Sequence, residues 1–189
     1  IKLYKPFYEY FGKKVTILEA DEVEGRIDDW NGKFVISALN QKDILSYSMD
    51  TIKAMIDSRM YNDFRTVFVI HDKRFMQLWY TPEFTQKFLT DKEAEFLRAH
   101  AIETYICKDK ASAGILEKAY ANKDAYILKH YRLGKSEKVY AGPLTSESDW
   151  KALFDGGAVK DMIIQPFLHQ KTYRTVWEGT PFDDYICGM

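Results

Sequence analysis

Lys129 closes the apolar run Ala125-Tyr126-Ile127-Leu128, and Arg132, Gly134, Lys135 and Ser136 follow at once. The stretch reads "AYILKHYRLGKSEKVYAG", two strand-like runs joined by a loop. Hairpins usually turn on Asn, Asp and Gly. This one turns on positive charge. Ammonium and guanidinium groups only donate hydrogen bonds, and a serine hydroxyl can donate as well. Successive loop N–H groups form a nest for anions, and glycine lets the backbone come close to a ligand. The chemistry this pattern suits is phosphate binding. The plainer alternative is that the stem of Lys129 lies along a sheet and its ammonium reaches solvent.

Two further stretches carry polar groups at strand ends. In "IIQPFL", Gln165 precedes Pro166, and proline ends ladder pairing. The backbone near Gln165, Phe167 and Leu168 is therefore expected to be free for something flat and polar, or simply to be an edge strand entering a loop. In "FVIHDKRFMQLW", His71-Asp72-Lys73 follows an apolar run and opens a helical pattern. Ligands of α/β sheets gather at carboxyl ends of strands, beside helix N-termini. Asp72 is expected as an N-cap. Lys73 in the first turn opposes the helix dipole, a misfit that a phosphate would relieve. His71 suits acid–base work, but no partner for it is visible.

The elements that must position these residues follow from periodicity. Strands are expected at "VTIL" (15 to 18), "FVISAL" (34 to 39), "TVFVI" (66 to 70) and "TYICK" (104 to 108). The run "TVFVI" reads as a strand covered on both faces. Helices are expected over "DILSYSMDTIKAMIDSRM", "DKRFMQLWY", "TDKEAEFLRAH" (a Thr90/Glu93 capping box) and "SAGILEKAYAN". From Ala125 the pattern becomes a hairpin (125 to 142), a helix capped by Ser146 (146 to 156), and strands "DMIIQPFL", "KTYRTVWEG" and "DDYICGM". The expected fold class is thus α+β or α/β. A small, partly parallel α/β subdomain (1–110) precedes a mostly antiparallel sheet with helices (111–189).

The totals bound the rest. The chain has 189 residues, 46% hydrophobic and 29% charged, which suits one or two packed domains. Its net charge is −1, so no whole-chain field draws nucleic acid or an anionic membrane, and any anion site must be local. No apolar run approaches the ~18 residues of a membrane span. Cys107 and Cys187 form neither a disulfide framework nor a zinc pattern, so the expected location is the cytoplasm, with reduced thiols. Cys107 is expected to be buried rather than reactive. The acidic run Glu19, Asp21, Glu22, Glu24, Asp28 and Asp29 is expected to be a solvated loop turning at Asn31-Gly32, rather than a magnesium site. The chain starts at Ile1 and stops inside the strand-like "DDYICGM", as expected of a piece of a longer protein.

Taken in order, "HDKRFMQLWY", "AYILKHYRLGKSEKVYAG", "DMIIQPFL" and "DDYICGM" resemble the nucleotide-binding half of an ATP-grasp protein. The resemblance is to the circularly permuted branch that contains glutathionylspermidine synthase. It covers about residues 60 to 189, and 1 to 60 more weakly. It implies a pre-ATP-grasp-like subdomain followed by the nucleotide-binding subdomain. Lys73 matches the lysine at a helix start, and Lys129 the lysine ending a strand, with His130 in place of a proline. Residues Arg132 to Ser136 occupy the place of the glycine loop, with one glycine where relatives often have two. Gln165, Phe167 and Leu168 fit the adenine hinge. The stretch "FVISALNQKDIL" lacks the arginines that relatives often carry there.

What the resemblance implies is a ligase that activates a carboxylate as an acyl phosphate for attack by an amine or thiol. Its cofactors would be ATP and Mg2+, with the metal ligands outside this chain. Its partners would be ATP with small-molecule or peptide carboxylate and amine substrates. Phosphoryl transfer of this kind depends on positioning and charge neutralisation. No residue here stands out as a nucleophile. Two other functions stay open: an ATP-grasp-like module that binds nucleotide or peptide without catalysis, and an aromatic recognition surface, for which single-stranded nucleic acid is disfavoured by the net charge.

Overall fold

A computed structural model of the chain describes residues 4–134, 136–169 and 172–185. Lys135, Cys187 and the rest of 186–189 lie outside the described residues. The chain is a mixed α/β protein with a parallel two-stranded sheet, an antiparallel four-stranded sheet and a further two-stranded hairpin. It divides into two compact units, Ile1–Phe75 with Arg132–Ser136, and Met76–Tyr131 with Glu137–Met189.

The first unit begins with helix α1 (Tyr4–Tyr10). The strand expected at 15–18 does not form, and these residues are coil. Strand propensity holds a segment extended only where a ladder receives it. The acidic run folds into short 3₁₀ turns and α2 (Ile27–Trp30), with Trp30 buried and its indole donating to the Val23 carbonyl at 2.9 Å. Strand β1 (Phe34–Ile36) is shorter than expected. The single helix expected over 43–60 is two helices, α3 (Gln41–Leu45) and α4 (Met49–Asp57), followed by β2 (Arg59–Tyr61), which pairs parallel with β1. The break has a clear cause. Ser48 adopts an extended conformation and its hydroxyl accepts from Thr51 N, so a second helix starts there.

The expected strand at 66–70 is a helix, α5 (Phe64–Val69). Asp63 sets it: its carboxylate accepts from Arg65 N at 2.8 Å, and the Thr66 hydroxyl donates to the Asp63 carbonyl. The burial is one-sided, with Val67 in the interior while Val69 and Ile70 are 50% and 55% exposed. A strand covered on both faces would not look so. After α5 the chain runs as a 3₁₀ helix, Lys73–Tyr80, where a helix was expected.

In the second unit, α6 (Pro82–Phe88) carries proline in its first turn, where the missing N–H costs nothing. Helix α7 (Asp91–His100) starts at the expected Thr90/Glu93 capping box. Then come β3 (Tyr105–Ile106), α8 (Ala113–Ala121), β4 (Tyr126–His130), β5 (Val139–Ala141), α9 (Glu147–Asp155) and β6 (Met162–Pro166). Strands β7 (Thr172–Trp177) and β8 (Thr180–Tyr185) form the last hairpin. The main sheet has the order β3-β6-β4-β5, all antiparallel. One face packs on α8 and α9 through Leu128, Ile164, Met162, Ala119 and Trp150. The Trp150 indole donates to the Ala119 carbonyl at 3.0 Å, which joins the two helices.

Gly142, at the end of the hairpin, has a steric reason to be glycine. A Cβ there would lie 1.7 Å from the Lys123 carbonyl oxygen and 3.0 Å from that of Tyr126. The Lys123 ammonium also donates to the Gly142 carbonyl at 2.7 Å. Backbone cannot yield as a side chain tip can. Gly142→Ala is therefore expected to destabilise the protein by at least about 3 kcal/mol. Urea unfolding measures this, with Gly134→Ala as the control: a Cβ at Gly134 meets nothing within 4 Å, and that variant should stay near wild type.

Candidate functional site

In the second unit, register decides which side chains share a face. Lys129 pairs with Ile163, Leu128 with Ile164, and Ile127 with Gln165. Side chains alternate along a strand. Leu128 and Ile164 enter the core under α8 and α9, so Lys129 and Gln165 stand on the opposite face. There a row of polar groups crosses three strands or strand ends. The Lys129 ammonium donates to Gln165 Oε1 at 3.0 Å. Gln165 Nε2 donates to Thr104 Oγ1 at 2.7 Å and approaches the Met76 sulfur at 3.7 Å. Thr104 Oγ1 donates to the Ile102 carbonyl at 2.9 Å. Gln165 and Thr104 are only 3% and 2% exposed.

The free edge expected around Gln165 is not there. Strand β6 is an inner strand, between β3 and β4. Pro166 remains in the ladder opposite Tyr126, and Phe167 N donates to the Ala125 carbonyl at 2.8 Å. The reason lies in the alternation of backbone groups. Cys107 N donates to the Met162 carbonyl, so even-numbered residues of β6 face β3. β3 ends at the pair Tyr105↔Ile164, and the donor that Pro166 lacks would point past that end. Leu168 is exposed, and Phe167 stands edge-on to His169 with ring centres 5.1 Å apart.

In the first unit, Lys73 donates through its ammonium to the Leu133 carbonyl, within the loop that carries Arg132, Gly134 and Ser136. The apolar run before His71 is helix α5, so the reading of His71-Asp72-Lys73 as the carboxyl end of a strand is corrected. Asp72 does act at the start of the next helical segment, accepting from Arg74 N at 3.0 Å. Its carboxylate also takes a two-pronged contact from the Arg74 guanidinium, at 2.9 and 2.6 Å. Burial pushes the Asp72 carboxyl up. The hydrogen bonds from Arg74, with the charges of Arg74 and Arg132, outweigh it and hold the carboxyl below the usual aspartate value. His71 is exposed. Gly134 sits in open space without a left-handed backbone. The left-handed positions of this stretch are Ser136 (φ 62°) and Lys138 (φ 50°). Both are ordinary residues in a conformation that favours glycine.

Lys73, Arg132, Gly134 and Ser136 thus belong to the first unit, and Lys129, Gln165, Phe167 and Leu168 to the second. The structure joins Lys73 to the loop at Leu133 and Lys129 to Gln165. Thr104 was not singled out from the sequence. A neutral hydroxyl at the head of a short strand gives no signal of its own.

Part of the acidic run is committed to local structure. Glu22 accepts from Glu19 N at 2.8 Å and pairs with Arg26. Glu24 accepts from Ser48 N at 2.7 Å and from the Thr51 hydroxyl at 3.2 Å. These bonds, led by those from Ser48, hold the Glu24 carboxyl below its ordinary value. Among the described residues, no group of three or more His, Cys, Asp or Glu is gathered where it could hold a metal ion. No described helix is long and apolar enough to cross a membrane. No protein-family model and no curated protein matches the chain.

Two expected outcomes follow from the titrating groups. The folded value of Asp72 lies below the unfolded one, near about 3.9. Its contribution to stability is complete above that value and fades as pH falls through the depressed one. Asp72→Asn should therefore cost about 1–3 kcal/mol at pH 7, with the gap to wild type closing below about pH 4. Urea unfolding at a series of pH values checks it. A gap independent of pH would refute the assignment. Cys107 is buried, and burial pushes its thiol up to about 12. It should resist a disulfide-exchange reagent at pH 8 in the native state and react at once in urea. Mass mapping of the peptide carrying Cys107 reads the result separately from Cys187.

Proposed function

We propose that the chain is the nucleotide-binding portion of an ATP-dependent ligase of the ATP-grasp type, joining a carboxylate to an amine or a thiol. The observation that carries this reading is Lys129: an ammonium fixed on the face of an antiparallel sheet by a nearly buried amide. A cation oriented in advance is what phosphoryl transfer requires, because catalysis there is mostly positioning and charge neutralisation. The main sheet, with its two helices on the other face, suits the ATP-grasp-like fold that the sequence resembles.

In this reading Lys129 supports phosphate oxygens of ATP from the sheet. The resemblance also assigns phosphate contacts to Lys73, Arg132, Gly134 and Ser136, and base contacts to Gln165, Phe167 and Leu168. A substrate carboxylate attacks the γ-phosphorus, the bond to the bridging oxygen breaks, and ADP leaves. The amine or thiol then attacks the acyl carbon and expels phosphate. Among the described residues no three metal-ligating side chains are gathered for a Mg2+ site, and in the acidic run Glu22, Glu24 and Asp29 are already held by Glu19, Ser48, Thr51 and Arg26. In this reading the metal ligands belong to the parent polypeptide. The same reading puts the protein in the cytoplasm, with small-molecule or peptide substrates and neither nucleic acid nor membrane as partner.

A second reading is an ATP-grasp-like module that binds nucleotide or peptide without turnover; a parent protein that also lacks metal ligands would favour it. Both readings require nucleotide binding. ATP or ADP at about a hundred times Kd should raise Tm by about 5–10 °C. Lys129→Ala should keep the fold, by circular dichroism, and lose most of that shift. Ligase turnover by the parent protein, scored as ADP release dependent on both a carboxylate and an amine, separates the two. If no nucleotide shifts the wild type, or if Lys129→Ala shifts as wild type does, the phosphate role of Lys129 is refuted.

A further inference from the structure

We propose that Thr104 and Gln165 are positioning residues for Lys129, and that the Gln165 side chain serves the lysine rather than the base of the nucleotide. A lysine ammonium has three donors and no acceptor. Whatever faces Lys129 Nζ at 3.0 Å must accept, so that atom of Gln165 is the amide oxygen. Its nitrogen then faces Thr104 at 2.7 Å and must find an acceptor there. Thr104 can accept because its own proton goes to the Ile102 carbonyl at 2.9 Å. The direction of every bond in the row is thereby fixed, from Lys129 through Gln165 and Thr104 to a backbone carbonyl.

Each end enforces the other. If Thr104 lost its hydroxyl, Gln165 Nε2 would keep only the weak thioether contact to Met76 at 3.7 Å. The amide could then rotate, and turning it would set N–H groups against an ammonium. Gln165 and Thr104 are nearly inaccessible, so water cannot take over the lost bonds. This also accounts for a glutamine in the middle of the inner strand, among Met162, Ile163 and Ile164. Gln165 Oε1 accepts from Lys129, and Nε2 donates to Thr104 and faces Met76, so neither is available to read a base.

The test compares Thr104→Val with Thr104→Ser in the full chain, with two readouts. The first needs no nucleotide: the acylation rate of Lys129 by an amine-reactive ester across pH 7 to 10, resolved by mass spectrometry. An acceptor held against the ammonium favours its charged, unreactive form. Thr104→Val should speed labelling of Lys129 by about tenfold, the effect of one hydrogen bond. Thr104→Ser should label as wild type. The second readout is affinity for ATP and GTP, expected to fall by the same factor for both in Thr104→Val and to recover in Thr104→Ser.

Gln165→Met, close in shape and without the amide, should reproduce Thr104→Val and guards against a variant that fails to fold. Labelling unchanged in both Thr104→Val and Gln165→Met overturns the proposal. So does a Thr104→Ser variant that behaves like the valine, which would make the role one of packing. A loss confined to ATP, with GTP unaffected, would return Gln165 to base reading and overturn it too. The second readout rests on the proposed nucleotide site, and the first does not. A wild type that binds no nucleotide sinks the site while the labelling series still decides the relay.

Discussion

The register between β4 and β6 is the constraint on which the second unit depends. Five residue pairs couple the two strands, and each pair sends its side chains to one face. Leu128 and Ile164 go under Trp150 and Ala119, where no solvent reaches them. A slip of one residue in either strand would turn that strand over. It would take Leu128 or Ile164 out of the layer under Trp150, where the burial of each such side chain is worth about 1.5–3 kcal/mol. A slip of β4 would also bring the Lys129 ammonium into the apolar layer against Trp150. The same parity that builds the core therefore also places Lys129 on the opposite face. The tight seat of Gly142 against the Lys123 carbonyl supports this from the end of the hairpin, where β5 leaves the sheet.

Much of the second unit was legible because its signals are local. Thr90 with Glu93, and Ser146 with Asp149, satisfy the first N–H groups of their helices within a single turn. The hairpin of β4 and β5 shows in two apolar runs around a polar loop. What was not legible depended on partners far along the chain. "VTIL" and "TVFVI" are β-branched runs of similar kind, yet neither is a strand. A continuous apolar run does not say whether it is a strand or one face of a helix. For 66–70 the decision fell to Asp63, whose carboxylate and carbonyl both start a helix. For 15–18 no ladder receives the segment, since β1 pairs with β2.

The site divides along the same line. Lys129 stands out in the sequence because a charge at the end of an apolar strand needs an explanation. The proline beside Gln165 suggests a free strand edge, yet Gln165 lies in an inner strand. Proline removes a ladder bond only on the side toward which its nitrogen points, and β3 had already ended on that side. The composition of one strand cannot reveal where its neighbour stops. Thr104 gave no signal, because its importance lies in the direction of a hydroxyl toward Ile102 and of an amide toward itself. In the hairpin loop, left-handed angles fall on Ser136 and Lys138, at a cost of order 1–3 kcal/mol each, and nothing in the residue types announced that.

A polar row on an apolar sheet needs a reason, because two hydrophobic side chains of similar volume would serve packing alone at least as well. Leucine at position 165 and methionine at 129 would bury the same space without desolvating an amide and an ammonium. Two physical roles remain for the row as it stands. One is register: Lys129 tolerates only the face where Gln165 Oε1 meets it, so the wrong pairing is penalised from both faces of the sheet. The other is orientation. An ammonium on a four-carbon stem samples many rotamers, and freezing it when a ligand arrives would weaken binding by that lost entropy. Held by Gln165, which is itself held by Thr104, Lys129 meets that cost during folding. Register alone would be satisfied by any partner that accepts. A donor chain whose every bond has one permitted direction goes further, and it is the arrangement expected where the position of a single positive charge matters.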